Sequence, residues 1–364
     1  MQLQIAMTTN QVVRPAGSRS SRMRVNSHDV ARAANVSPSA VSRAFTPGAS
    51  VAPEKRARIL AAARELGYRP NVMARAIAKG RSNVAGLIMF GETNRHHPEV
   101  LLAISRSFQT RGIRVMLFII EHTDEVEDVV ENVLSYQLDG VVAAAPIPAA
   151  DLATLAQAEV PVIFYNRPGT QTCAAVSCDH AGAGRAVAAH LLAAGHRNFA
   201  LINAQDSYVA SERMRGVEAE LTAAKAKVVA VSVGDFAYDE GFGAVSDWLS
   251  KGKAGFTALI AANDMMAIGA LDALMATGRK AESQIAVAGF DGIDASRWQS
   301  HRIISVRQPV ELMAEAVADM LLKQMDAATT IAEYRLFAGQ LQPATSVEQA
   351  AGMRHGKGTR AAAA

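Results

Sequence analysis

Residues 26–43 read NSHDVARAANVSPSAVSR, and the punctuation of this stretch predicts two short helices joined by a turn. Asn26 suits the cap of the first helix, with Asp29 three residues on in the position of a capping-box acid. Val30, Ala33 and Ala34 are expected on one apolar face. Asn35 suits the exit, because asparagine tolerates left-handed backbone. Ser37 then caps a second helix, and Pro38 opens it where a missing N–H is no loss. Val41 and Ala44 read as inward-facing, which leaves Ser39, Ala40, Ser42 and Arg43 outward. Small alanines at the crossing let the two helices approach closely, as a helix-turn-helix requires. Taken alone, eighteen such residues fit an ordinary helical hairpin equally well.

The neighbouring residues shift that balance. VAPEKRARILAAARELGY (51–68) predicts a third helix, with Pro53 at its start, Ile59, Leu60, Ala63 and Leu66 on one face, and Gly67 as its stop. RPNVMARAIAKGRSN (69–83) follows as a short basic segment before the chain turns apolar at Val84. The first 83 residues hold 14 Lys/Arg against 3 Asp/Glu, and the rest hold 23 against 31. A formal charge of +3 over 364 residues therefore joins a strongly basic end to an acidic body. A basic end that also carries a folded helical pattern points to phosphate contacts and a salt-dependent affinity, beyond a merely solvated face.

The run from Val25 to Gly86 resembles the DNA-binding headpiece and hinge of the lactose-repressor (LacI/GalR) family of bacterial transcription regulators. The resemblance is carried by DVARAANVS, AVSRAF, LGYRPN and AIAKGRSNVAGLI, in the family's order and spacing. It implies that Pro38, Ser39 and Arg43 occupy base-reading positions. Proline offers only apolar contact, serine discriminates weakly, and arginine bridges guanine O6 and N7, so Arg43 is the main reader. Asn26, Ser37, Ser42 and the Lys55–Arg56 pair are implied phosphate contacts, which position without specifying. Asn71 to Lys79, including Ala74, Ile77 and Ala78, resembles the family's short hinge helix in the minor groove. Ile77 stands where the usual wedge is leucine, which leaves the depth of insertion open.

From Val84 the chain alternates short apolar runs with amphipathic stretches. VAGLIMF, RVMLFII, DGVVAAA, PVIFYN, NFALIN, KVVAVSV, TALIAAN and IAVAGFD read as strands. PEVLLAISRSFQTRG, AGRAVAAHLLAAGH, SERMRGVEAELTAA and DMMAIGALDALMATG read as helices between them. This alternation implies parallel sheets with helices on both faces, in one sheet or in two lobes. The family resemblance, which extends to about Ser346, implies two similar lobes crossed by several connections, like periplasmic sugar-binding proteins. The expected organisation is a disordered basic extension (1–24), a helix-turn-helix domain (25–70), a hinge (71–83), a two-lobed α/β effector-binding and dimerisation domain (84–346) and a disordered tail (347–364).

Ligands of open α/β sheets sit beyond the carboxyl ends of strands. At such ends the resemblance places Arg213, whose planar donors suit a carboxylate, a phosphate or paired hydroxyls. It also places Asn263, which both donates and accepts, and Asp291, which accepts from hydroxyls. Arg215 is expected in solvent, Asp264 as a helix cap more than a ligand contact, and Asp179 likewise as a cap. The loop GETNRHHPEVL departs from the family pattern, with Asn94, Arg95, His96 and His97 in place of an aspartate and aromatics. Asn94 and His96 are candidate contacts there, and the departure suggests an effector other than a neutral hexose. Asn166 takes the place of a frequent family aspartate. Trp298 suits either stacking on an apolar sugar face or filling a lobe interface.

Other functional classes find little support. Adjacent histidines without cysteine or carboxylate at ligand spacing do not make a metal site, and no cofactor is expected. Cys173 and Cys178 read as reduced thiols in a cytoplasmic protein. The first 24 residues lack an export signal's apolar core, and Met23 immediately precedes the folded pattern. No run of eighteen apolar residues occurs. The expectation is therefore a repressor-type regulator bound to a near-palindromic operator as a homodimer and switched by a small molecule, a sugar or sugar acid. No leucine-heptad tail suggests a tetramer. A periplasmic-type solute-binding protein is the alternative. An enzyme comes third, since no nucleophile elbow, P-loop or metal-ligand set is present.

Overall fold

Asn26 does cap the first helix. In the computed structural model its Oδ1 accepts the N–H groups of His28 (2.8 Å) and Asp29 (3.2 Å), and the Asp29 carboxylate returns a bond to the Asn26 N–H. The structure describes residues 25–46, 48–69, 81–91, 97–252, 255–276, 285–326 and 332–343. The expectations for the 1–24 extension, for hinge residues Asn71, Ala74, Ile77, Ala78 and Lys79, for Asn94 and His96, and for the 347–364 tail lie outside them. The chain divides into two compact units, one ending at Gly80 and one beginning at Arg81.

In the first unit, α1 (Ser27–Ala33), α2 (Pro38–Ala44) and α3 (Pro53–Glu65) enclose a small core. Asn35 leaves α1 at φ +51°. Ser37 caps α2 by accepting the Ala40 N–H at 3.3 Å, ahead of Pro38. The inward face is corrected at two positions. Ala31, not Ala33, is buried beside Val30 and Ala34, and Ala40 is buried beside Val41 and Ala44. Both helices present an i, i+1, i+4 stripe, as helices of two turns wedged into a corner do. On α3 the buried residues are Ile59, Ala62 and Ala63, while Leu66 is exposed. Burial of the Ile59 side chain contributes about 1.5–3 kcal/mol, a large share for so small a module. Gly67 ends α3 at φ +65°, where a side chain is strained, and the Tyr68 N–H reaches back to the Ala63 carbonyl at 2.8 Å. Tyr68 then meets Phe45 edge-on at 5.9 Å.

The second unit contains two parallel sheets. One has the order β11-β5-β4-β3-β1-β2, formed by β1 (Val84–Phe90), β2 (Arg114–Ile120), β3 (Gly140–Ala143), β4 (Val162–Tyr165), β5 (Ala174–Cys178) and β11 (Tyr334–Phe337). The other has the order β7-β6-β8-β9, from β6 (Asn198–Ala204), β7 (Lys227–Gly234), β8 (Ala258–Ala261) and β9 (Ala286–Ala288). A short antiparallel pair, β10 (Ser305–Arg307) with β12 (Gln340–Gln342), completes the strands. The choice between one sheet and two lobes is thus settled for two.

The first sheet is covered by α4 (Pro98–Thr110), α5 (Val126–Ser135), α6 (Ala149–Gln157) and α11 (Val310–Asp326). The second is covered by α7 (His180–Ala193), α8 (Tyr208–Ala223), α9 (Tyr238–Ser250) and α10 (Asp264–Ala276). β1, β3, β4, β5 and β8 are apolar and buried almost throughout, as strands of a sheet covered on both faces must be. Connections pass between the lobes after β5, after β10 and after β11. α11 follows β10 of the second lobe yet packs Val310, Met313 and Val317 into the first lobe's core.

Candidate functional site

On the first unit the candidate nucleic-acid face is α2. Pro38, Ser39, Ser42 and Arg43 are exposed on it, opposite the buried Ala40, Val41 and Ala44. Ser37 Oγ lies 2.9 Å from Ser39 Oγ, so the cap also braces a candidate base reader. No described carboxylate pairs with Arg43. Asn26 and Lys55 are exposed as well. Arg56, an expected phosphate contact, is part-buried and donates its Nη2 to the carbonyls of Thr46 (3.3 Å) and Ala49 (3.1 Å), so it also braces the α2–α3 loop.

In the second unit, side chains from three separate places, His97, Arg213 and Gln308, converge on Asp291, which follows β9. Its carboxylate Oδ1 accepts from Arg213 Nη2 and from Gln308 Nε2 (2.8 Å), and Oδ2 lies 3.3 Å from His97 Nε2. Arg213, in the second turn of α8, is buried and also donates Nη1 to the Ala262 carbonyl at 2.7 Å, with its guanidinium 5.0 Å over the Phe290 ring. Arg215, two residues on, is exposed and pairs with Glu212 at the surface. A polar chain continues into the first lobe. Asn166 Nδ2 donates to Gln308 Oε1 at 2.9 Å, and Asn166 Oδ1 accepts from the Cys178 N–H at 3.3 Å and from His180 Nε2 at 2.8 Å. A backbone N–H only donates, so the amide orientation is fixed and His180 carries its proton on Nε2.

The environment sets the charges. Burial opposes ionisation of Asp291, but Arg213 and His97 hold its carboxyl well below the usual carboxylate range. Burial likewise opposes the His97 charge, and the carboxylates of Asp291 and Glu99 overcome it, raising the imidazole to about 10. Glu99 accepts from His97 Nδ1 at 3.1 Å. His180 is pushed the other way, to about 3, by burial and by the Arg213 charge. The cluster therefore contains one cationic and one neutral histidine. Buried charges of this density are tolerated because each has an opposite partner.

The backbone at Asp291 is strained. Its φ of +107° lies where a side chain is uncommon, and Gly292 follows at φ +67°. A Cβ at Gly292 would stand 2.6 Å from Arg307 Cα. Asp264 and Ser305 secure the turn. Ser305 Oγ accepts the Gly292 N–H (3.0 Å) and lies 2.7 Å from Asp264 Oδ1, while Asp264 Oδ2 accepts the Ile293 N–H at 3.0 Å. This corrects the reading of Asp264 as a helix cap. The cap of α10 is Asn263, whose Oδ1 accepts the Met266 N–H at 2.9 Å while its Nδ2 donates to the Phe236 carbonyl at 2.9 Å. Half of that amide's bonding capacity is thereby engaged. Asp179 does cap α7, on the Gly182 N–H at 2.8 Å. Trp298 is 58% exposed beside His301, so it does not fill a lobe interface.

Asp264 gives a pH prediction. Burial first, then the Asp291 charge, pushes its carboxyl up to about 8. The folded chain thus keeps a proton there that the unfolded chain releases near the ordinary value of about 3.9. The resulting stability is complete below that value and is lost as pH rises through about 8, at up to ~1.4 kcal/mol per pH unit. Asp264→Asn keeps the neutral shape and is expected to melt higher than the parent at pH 9 and to flatten the pH 5–9 dependence. Thermal melts across that range check it. A parallel dependence in both proteins would exclude Asp264 as the source.

Among the expected contacts, the structure brings Arg213, Asp291 and Asn166 into one cluster and leaves Trp298 at the surface. His97, His180, Gln308, Ser305 and Asp264 complete the cluster and were not expected as contacts. Gln308 had one usable signal, its place before Pro309, which favours extended backbone there. Among the described residues, no three His, Cys, Asp or Glu side chains gather as metal ligands, and no helix is long and apolar enough to cross a membrane. Both cysteines are free and buried.

Comparison with known proteins matches both units. Residues 28–71 match "Bacterial regulatory proteins, lacI family", and residues 82–336 match "Periplasmic binding proteins and sugar binding domain of LacI family". The transcriptional regulator CelR of Thermobifida fusca is 30% identical, over 83% of this chain and 92% of that protein. The lactose operon repressor of Escherichia coli K12 is 27% identical, over 82% and 84%. Among solved structures, the lac repressor dimer bound to operator and the anti-inducer ONPF aligns with a TM-score of 0.79 at 26% identity, covering 89% of this chain and 99% of that one. A CelR–cellobiose complex aligns with a TM-score of 0.67 at 27% identity, covering 89% and 100%.

Proposed function

The chain belongs to the LacI family of bacterial regulatory proteins and is a helix-turn-helix transcriptional regulator, and from that premise we propose that it is a repressor released from its operator by a sugar-class effector bound at the Asp291 cluster. The observation that carries this reading is the cluster of the buried Arg213 and Asp291 with the part-buried His97, Asn166 and Gln308. It joins the two lobes through charged and amide groups, in a chain whose other unit leaves a capped helix free for DNA. The match of residues 28–71 to a regulator headpiece speaks against a solute-binding protein.

One headpiece reads half a site, so the reading includes a homodimer on a near-palindromic operator. The hinge from Asn71 to Lys79, with Ala74, Ile77 and Ala78, enters the minor groove between the half-sites. Arg213, Asp291, Asn166, the remaining capacity of Asn263, Trp298 as a stacking surface, and the loop residues Asn94 and His96 are the proposed effector contacts. Coupling from cleft to hinge is supported by α11. Gln308 stands two residues before its first residue and bonds Asp291. At its far end Asp326 pairs with Arg81 at 2.7 Å, where the chain leaves for the hinge. Ser82 and Asn83 are further held by the Asp139 carboxylate at 2.7–2.9 Å.

Fluorescence anisotropy of the full chain on an operator selected from random DNA tests the proposal. A sugar or sugar acid is expected to weaken operator binding about 5–150-fold, the usual 1–3 kcal/mol of coupling. Sequence-specific binding that no such compound alters would overturn the effector reading.

A further inference from the structure

Asp291 leaves little room for a neutral sugar. Its two oxygens already serve Arg213, Gln308 and His97, three of the roughly four bonds a carboxylate accepts. A hydroxyl taking the place of His97 would leave a largely but not wholly buried imidazolium, 18% exposed, with Glu99 alone, at a cost that a neutral sugar offers nothing to offset.

The groups left over around the cluster can all donate, and only the Tyr165 hydroxyl among them can also accept. Arg213 Nε is buried and has no hydrogen-bond partner, and so is the hydroxyl of Tyr165, at the end of β4 beside Asn166. Arg167, half-buried after Asn166, has no carboxylate partner among the described residues and lies near Tyr208, whose ring meets His180 edge-on. Arg213 and Arg167 thus each keep donor capacity that no described carboxylate takes up.

We propose that the effector carries a carboxylate or phosphate group, and that His97 selects it. The anion takes over the His97 N–H from Asp291, and the freed Asp291 oxygen accepts a hydroxyl of the same molecule. His97 keeps a negative partner throughout, so the exchange leaves no buried charge alone. A matched neutral sugar supplies the hydroxyl but not the anion. This rests on the cleft being the effector site, and it adds the chemical class of the effector and the residue that discriminates.

Isothermal titration of the full chain with matched series tests it: glucose, gluconate and glucose 6-phosphate, with the corresponding galactose and mannose compounds. At least one acid is expected to bind about tenfold or more tighter than its neutral parent. The carboxylate and phosphate arms identify which anion is meant. His97→Gln, which keeps a donor without the charge, is expected to cut that preference about tenfold or more. His97→Lys, which keeps a charge, is expected to retain it. Equal binding of acid and parent by the natural chain, or an unchanged preference in His97→Gln, overturns the inference and leaves the effector reading standing. Failure of every sugar, acidic or neutral, to bind overturns both.

Discussion

Arg213→Ala is expected to lower the melting temperature of the effector unit by roughly 6–20 °C and to abolish the effector response. The first effect follows from burial. Arg213 and Asp291 are almost wholly removed from solvent, and removing one partner of such a pair leaves the other charge uncompensated, typically at about 3–5 kcal/mol. For a unit of this size each kcal/mol moves the melting temperature by about 2–4 °C. His97 and Gln308 still face Asp291 in the variant, which favours the lower part of the range. The strained turn adds to the loss, because the φ of +107° at Asp291 persists only while its side chain is held. Pairing Arg213→Ala with Asp291→Asn separates the two contributions. The second substitution removes the stranded charge, so the double variant is expected to be more stable than the sum of the single losses. Additive losses would mean that the two residues do not depend on each other. The second effect is read as operator affinity with and without effector: the variant should bind operator and fail to respond, and a normal response would remove Arg213 from the site.

The same cluster shows what the sequence makes legible and what it hides. Local signals served well. Asn26, Ser37, Pro38, Asn35 and Gly67 act on their own neighbours, so caps and helix ends follow from a few residues. The misassigned faces, Ala33 for Ala31 and an outward Ala40, arise because alanine gives almost no hydrophobic contrast and a seven-residue helix is too short for its period to show. In the body, long apolar runs such as VAGLIMF and NFALINA announce β1 and β6. β10, β11 and β12 are three or four residues long, β11 and β12 are part-exposed, and the existence of all three depends on partners far along the chain.

Arg213, Asp291 and Asn166 were accessible as strand-end or cleft-facing candidates only through family resemblance. That His97 reaches Asp291 from the other lobe, and that Gln308 bridges it to Asn166, was not legible. Nothing in the spacing of residues 97, 166, 291 and 308 encodes proximity; the three passages of the chain between the lobes create it. Asp264 illustrates a finer limit. An Asn-Asp pair ahead of a helix offers two possible caps, and only the fold shows that Asn263 takes the helix while Asp264 turns toward Ser305.

Arg43→Ala is expected to erase the preference for one base pair in each operator half-site while leaving the headpiece folded. Arg43 is exposed in the last turn of α2, makes no described ion pair and lies away from the buried stripe of Ala40, Val41 and Ala44. Its loss should therefore change headpiece stability by no more than about 0.5 kcal/mol. Its neighbours cannot compensate. Pro38 has no donor, and the Ser39 hydroxyl, 2.9 Å from Ser37 Oγ, accepts or donates to several bases alike. A bidentate arginine–guanine contact is worth about 1–3 kcal/mol of discrimination, so the preference for guanine at one position should fall about 5–150-fold per half-site. Selection from random DNA with the natural chain and with Arg43→Ala, followed by competition titrations, measures this position by position. Lys55→Ala provides the contrast. As a phosphate contact it should weaken all sequences alike and lower the slope of log affinity against log salt by about 1, without altering any base preference. An unchanged base preference in Arg43→Ala would move recognition to Ser39, to Ser42 or to the hinge wedge at Ile77, and a hinge variant such as Ile77→Ala would then carry the specificity loss that Arg43 did not.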